Sequence, residues 1–145
     1  MKVFVTGVNG QLGHDVMNEL AKRGYEGVGS DLAPEYSGVE DGSAVTKMPY
    51  VSLDITDADA VDKVITDVNP DVIVHCAAWT AVDMAEDDDK VEAVRMVNVG
   101  GTQNIANVAK KLDVPMVYLS TDYVFDGQGT KPWEPDFKGY KPLNV

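Results

Sequence analysis

The segment Thr6-Gly-Val-Asn-Gly-Gln-Leu-Gly13 carries three glycines, at positions 7, 10 and 13, between a β-branched run and an amphipathic one. Each spacing has a physical purpose: a tight turn, close approach of backbone to a pyrophosphate, and close packing of a helix on a sheet. The free N–H groups of the first helical turn, with the helix dipole, then hold an anion without any basic side chain. Asp31 lies 18 residues beyond Gly13, at the end of a second strand-like run. A carboxylate there accepts hydrogen bonds from the 2′- and 3′-hydroxyls of a ribose and repels a 2′-phosphate. No Lys or Arg follows it closely, so the cofactor expected is NAD(H) or NADP(H), with the lean towards NADH. Asp54, in Leu53-Asp-Ile-Thr56, is a second carboxylate for the same edge. It either meets an adenine amino group, with Ile55 beside the ring, or forms a turn before Thr56. The small pair Ala77-Ala78 would let a dinucleotide lie against a strand end with no side chain in the way.

These groups can act together only if the chain brings them to one edge of a sheet. Short β-branched runs alternate with helix-period segments, the signature of a parallel sheet with crossover helices. The runs predict strands over 2–6, 26–31, 51–54, 72–76 and 116–120. A helix is expected over 10–23, with Leu12, Val16, Met17 and Leu20 on one face, Gly24 as its stop and His14 exposed near its start. A second helix starts at Thr56, with Asp59 in the capping-box position, and buries Val61, Val64, Ile65 and Val68 before Asn69-Pro70 ends it. The acidic run Glu86-Asp-Asp-Asp89 precedes a long helix reaching Leu112, whose sheet-facing line is Val94, Val97, Gly101, Ile105, Val108 and Leu112. Residues 33–50 read as a long surface connection. The tail after Thr121 shows no recognisable element. Right-handed crossovers then give the order 3-2-1-4-5, a Rossmann-type doubly wound α/β fold.

Bulk properties remove several alternatives. At 145 residues the chain has room for one domain. The net charge of −12, from 24 acidic and 12 basic residues, repels nucleic-acid phosphates, so a nucleic-acid binder is not expected. Runs such as Val72-Ile-Val-His-Cys-Ala-Ala-Trp79 are too short to cross a membrane. The N-terminus opens like a strand and lacks the regions of a signal peptide. One cysteine, Cys76, excludes an internal disulfide and suits a reducing, cytoplasmic setting. One Cys and two His at unrelated positions make no zinc site, so no metal is expected. His75 and Cys76 read as core residues, and Glu86–Asp89 as a complement to a helix N-terminus rather than a divalent-ion site.

Four segments together resemble a known family. They are Thr6-Gly-x-x-Gly-x-x-Gly13, His75-Cys-Ala-Ala-Trp-Thr-Ala-Val-Asp83, Val97-Asn-Val-Gly-Gly-Thr-Gln-Asn104 and Ser120-Thr-Asp-Tyr-Val-Phe-Asp-Gly127. In them the chain is similar to the dTDP-4-dehydrorhamnose reductases, within the extended short-chain dehydrogenase/reductases. The resemblance implies that Gly7, Asn9, Gly10, Gln11 and Leu12 line the pyrophosphate. It places Ala77, Ala78 and Thr80 near the nicotinamide ribose, and makes Thr121 the catalytic hydroxyl on the substrate carbonyl. Val82, Asp122 and Tyr123 would lie near a dTDP-sugar. The whole enzyme would pass hydride from NAD(P)H to the C4 ketone of dTDP-4-dehydro-L-rhamnose, giving dTDP-L-rhamnose, and is compatible with a homodimer. The sequence departs from the family at His75-Cys76 and Trp79, where Asn-x-Ala-Ala-Tyr is usual. Asn98 either organises the active site or packs inside a helix.

Reductases of this superfamily pair a tyrosine acid with a lysine four residues on. None of the six tyrosines here has that lysine; Tyr140 is followed by Asn144. The tail Lys141-Pro-Leu-Asn-Val145 resembles the stretch just before that tyrosine. The sequence therefore reads as the N-terminal portion of such an enzyme, lacking the last strand and the substrate lobe and inactive alone. A sugar-nucleotide epimerase or dehydratase, and a non-catalytic regulatory relative, are the competing readings.

Overall fold

The computed structural model describes residues 1–38 and 47–142. Five parallel strands form one sheet: β1 (Lys2–Thr6), β2 (Glu26–Asp31), β3 (Tyr50–Ser52), β4 (Val72–His75) and β5 (Met116–Tyr118), in the order β3-β2-β1-β4-β5. This is the Rossmann-type order expected from the alternating pattern. Register aligns Val51, Ser30, Thr6, His75 and Tyr118 in one row across the sheet. That row is the carboxyl edge, where ligands of open α/β sheets bind.

Alternation along β1 builds a core on each face, because successive strand side chains point to opposite sides. Val3 and Val5 join Val8 and Met17 under helix α1 (Gln11–Lys22). Phe4 joins Val61 and Ile65 of α2 (Ala58–Val68) and Ile105 and Val108 of α5 (Thr102–Leu112) on the other side. The expected stripes of α2 and of the long helix thus face the sheet. Leu12 does not share the α1 stripe: it is 48% exposed and borders a cleft. His14, expected to be exposed, is fully buried, because the turn before α1 aims its ring under the segment that follows β2.

Other boundaries shift for identifiable reasons. Helix α2 is capped by Asp57, whose carboxylate accepts from Ala60 N–H at 3.0 Å, and not by Thr56. Thr56 is already engaged, donating its N–H and hydroxyl to Asp54 Oδ1 at 2.9 and 2.7 Å. Asn69 ends α2 in the left-handed conformation. Strand β3 covers 50–52 rather than 51–54, and its chain leaves the sheet at Leu53, whose N–H still reaches Asp31 C=O.

The long helix is not uniform. A short α3 (Val82–Ala85) precedes α4 (Val91–Arg95), a π-helical stretch spans Met96–Gly101, and α5 continues from it. The acidic run lies just before α4, whose N-cap, Lys90, makes no side-chain cap bond and pairs with Asp89 at 3.0 Å. The tail, expected to be featureless, has a 3-10 turn at Asp122–Val124 and an aromatic cluster of Phe125, Trp133, Phe137 and Tyr140. Of the 33–50 connection, residues 39–46 lie outside the described residues, and Tyr50 already belongs to β3. No helix among the described residues is long and apolar enough to cross a membrane.

Ile105 is fully buried where α5 meets the sheet. Ile105→Ala should cost about 2–5 kcal/mol, read as a lower denaturation midpoint with an unchanged slope in urea.

Candidate functional site

At the carboxyl edge the first glycine turn is pressed directly against the end of β4. Gly7 has φ +74°, and a Cβ there would lie 2.6 Å from the Ala77 nitrogen. A Cβ on Gly13 would meet the Gly7 carbonyl oxygen at 2.2 Å. Only hydrogen fits at either point, so the floor between β1 and β4 is bare backbone. Gly7 and Val8 N–H both donate to Ser30 C=O, at 2.8 and 3.2 Å, which ties the turn to β2 as well.

One hydroxyl organises this junction. Thr6 Oγ1 accepts from Cys76 N–H and Ala77 N–H, each at 3.2 Å. With two donors aimed at the oxygen, its own proton goes to His75 Nδ1 at 2.7 Å. His75 must then carry its proton on Nε2, which donates to Thr102 Oγ1 at 3.1 Å. The imidazole is 2% exposed, and burial pushes its pKa down to about 4. Burial likewise pushes the Cys76 thiol up, away from a reactive thiolate.

The next wall is held from the helix behind it. Asn98, within the π-helical stretch, accepts from Trp79 N–H at 2.7 Å and donates to Trp79 C=O at 3.2 Å. This amide clamps the backbone of the loop after β4, so the π turn sits where helix meets cleft, a frequent place for one. One turn on, Asn104 donates to Ile55 C=O at 2.9 Å and to Thr56 C=O at 3.3 Å, fixing the loop after β3.

Between these walls lies a cleft of about 1200 Å³, larger than a typical small-molecule site. It gathers Gly7, Asn9, Gly10, Gln11, Leu12, Asp31, Asp54, Ile55, Ala77, Ala78, Thr80, Val82, Thr121 and Tyr123. Asp122 alone of the residues singled out from sequence is not on its wall; it begins the 3-10 turn and is exposed. Thr121 Oγ1 caps that turn by accepting Tyr123 N–H at 3.1 Å. Asp31 is tied on both oxygens, Oδ2 to Asn9 N–H at 2.9 Å and Oδ1 to Leu32 N–H at 2.7 Å. Asp54 has one oxygen engaged by Thr56 and still faces the cleft. Among the described residues no Lys or Arg lines the cleft. Among the described residues no group of three His, Cys, Asp or Glu is placed to hold a metal.

The model of the RmlD substrate binding domain matches residues 1–145. The chain belongs to that family. It is 36% identical over 133 residues to a dTDP-4-dehydrorhamnose reductase of Streptomyces griseus, covering 92% of this chain and 37% of that protein. Over 144 residues it is 32% identical to methionine adenosyltransferase 2 subunit beta of Rattus norvegicus, covering 99% of this chain and 39% of the relative. Among solved structures, a dTDP-4-dehydrorhamnose reductase of Clostridium acetobutylicum superposes with a TM-score of 0.79 at 33% identity, over 99% of this chain and 44% of that one. The Bacillus anthracis dTDP-4-dehydrorhamnose reductase in complex with NADP gives 0.75 at 32% identity, over 99% and 43%. The chain thus spans well under half the length of these relatives.

Sequence reasoning missed Thr6, Thr102 and Asn104 as parts of the site. Thr6 and Asn104 stood at the ends of quoted segments without a role of their own. Their signal is their place one turn from a glycine or at a strand end, which has meaning only once the elements are assembled.

The buried imidazole gives a pH test. Folding depresses the His75 pKa from 6.5 to about 4, so the unfolded chain takes up a proton that the folded chain refuses in that window. Stability contributed at neutral pH is lost as the pH falls from 6.5 through 4, by up to about 3 kcal/mol. Unfolding free energies of wild type and His75→Gln, compared at pH 7 and pH 4, should converge by that order; a constant difference would refute the assignment.

Proposed function

We propose that the cleft binds a nicotinamide dinucleotide, and that residues 1–145 are the cofactor-binding domain of a dTDP-4-dehydrorhamnose reductase-like enzyme. The observation that carries this is the bare-backbone junction where Gly7, Gly13 and Ala77 meet beneath the start of α1. Gly10 caps α1 with no side-chain bond, and the first intrahelical bond runs from His14 N–H to Gly10 C=O at 3.0 Å. The N–H groups of Gln11, Leu12 and Gly13 therefore have no intrahelical acceptor and suit a pyrophosphate. A cleft with no Lys or Arg among its described residues fits this mode of anion capture, as does the relatives' company: the Bacillus anthracis reductase with NADP, and a Bordetella bronchiseptica enzyme, WbmH, with NAD+.

In this reading Gly7, Asn9, Gly10, Gln11 and Leu12 surround the pyrophosphate, and Asp31 accepts the ribose hydroxyls. Asp54 and Ile55 border the adenine. Ala77, Ala78 and Thr80 leave room for the nicotinamide ribose. Bound NAD(P)H would supply the hydride, and the substrate would be the C4 ketone of a dTDP-linked 4-keto-6-deoxysugar. Thr121 would hold the carbonyl oxygen by its hydroxyl, with Val82 and Tyr123 against the sugar nucleotide. Asp122 contributes through the 3-10 turn that it opens beside Thr121. A cytoplasmic setting goes with such a cofactor and substrate.

The match to an adenosyltransferase beta subunit favours a second reading, a binding subunit on the same fold without hydride transfer. Fluorescence titration should show NADH binding to the 145-residue chain, and Asp31→Asn should raise Kd about tenfold. Ketone-dependent NADH oxidation should be absent from this chain and present in a longer product carrying Tyr-x-x-x-Lys; a longer product with that pair and no oxidation would favour the binding subunit. Failure of NADH to bind would refute the cofactor reading itself.

A further inference from the structure

His14 is fully buried, lies on the helix that follows the glycine turn, and is not on the cleft wall. It is hydrogen-bonded on both nitrogens. Asn18 Nδ2 donates to Nε2 at 3.0 Å, so the ring proton sits on Nδ1 and is donated to the Tyr36 hydroxyl at 2.6 Å. Tyr36 is stacked on Tyr50, with centroids 5.9 Å apart and planes 11° from parallel. The Tyr50 hydroxyl in turn donates to the carbonyls of Asp31 and Ala33. Asn9, in the glycine turn, reaches the same segment: Ser37 N–H donates to its Oδ1 at 3.2 Å, and its Nδ2 to Glu35 C=O at 3.4 Å. The chain after β2 is therefore pinned to the glycine turn and α1 at residues 35, 36 and 37, and to Tyr50 of β3 at residue 33.

This matters because of how Asp31 is held. To admit a 2′-phosphate, the carboxylate must turn its charge away. Its Oδ1 is bound to Leu32 N–H and its Oδ2 to Asn9 N–H. Turning it away means moving Leu32 and the chain behind it, and that chain is what His14, Tyr36 and Asn9 secure. Breaking the pins allows the segment to swing out with Asp31.

We propose that the His14–Tyr36 hydrogen bond is a latch that fixes the choice of cofactor, making His14 and Tyr36 positioning residues for a 2′-hydroxyl against a 2′-phosphate. The proposal rests on the cofactor reading above and adds to it two residues that touch no ligand. Tyr36→Phe removes the hydroxyl and keeps the stacked ring; His14→Gln alters the other partner.

NADH and NADPH are titrated by fluorescence into the 145-residue wild type and both variants. Wild type should prefer NADH. In the variants the ratio of the NADPH Kd to the NADH Kd should fall by about five- to tenfold, the worth of one to two net hydrogen bonds. A merely structural role would raise both constants together and leave the ratio unchanged, which overturns the latch while leaving the cofactor reading intact. Binding of neither dinucleotide to wild type overturns the cofactor reading and the latch with it. Should both variants unfold, hydrogen exchange on wild type decides: slow exchange at the Ser37 amide supports a pinned segment, and exchange at the unprotected rate overturns it.

Discussion

Two strand ends that are far apart in sequence, Thr6 and His75, meet through one hydroxyl, and the cleft depends on that meeting. Thr6 Oγ1 takes both N–H groups with which the chain leaves β4, and its proton completes the bond to His75. Without it, Ala77 N–H would lose the acceptor that holds it at the sheet end, at a cost of about 1–3 kcal/mol, and Cys76 N–H would keep only the Thr6 carbonyl at 3.3 Å. The imidazole carries the same restraint to Thr102, so the glycine turn, the β4 exit and the long helix share one chain of hydrogen bonds. Such chains define a unique geometry because each member leaves its neighbour no alternative partner.

Around that junction the loops are secured by amides rather than by charges. Asn9 holds the segment after β2, Asn104 the loop after β3, and Asn98 the loop after β4. An amide side chain presents a donor and an acceptor together, so it can satisfy backbone N–H and C=O groups that would otherwise lie unpaired beside the cleft. The ion pairs, by contrast, sit on the surface, as between Lys111 and Asp62, where each is worth little.

Much of this was legible in the sequence, and the limits have physical causes. Strand order and the two core stripes follow from periodicity, which is local and strong. The glycine turn, Asp31 and Ala77-Ala78 were legible because the spacing of glycines and the ends of strands restrict what the backbone can approach. His14 was misjudged because its burial depends on Tyr36, which arrives 22 residues later with no periodic signal. The π-helical stretch was invisible for a related reason: Val97-Asn-Val-Gly-Gly reads as ordinary helix, and it is the bond from Asn98 to Trp79 that reveals its use. Thr56 looked like a cap until Asp54 captured its hydroxyl, leaving Asp57 to do the capping.

That no Lys or Arg stands on the cleft wall among the described residues has a consequence for ionic strength. Proteins that hold phosphates with cations lose affinity as salt screens the attraction. For an anion on this turn the attraction would come from peptide dipoles at a helix start, which act over the length of a hydrogen bond, while the long-range field of a chain with net charge −12 opposes any anion that approaches. Screening therefore weakens the opposing term more than the favourable one. For an anionic ligand seated on this turn, added salt assists binding instead of competing with it.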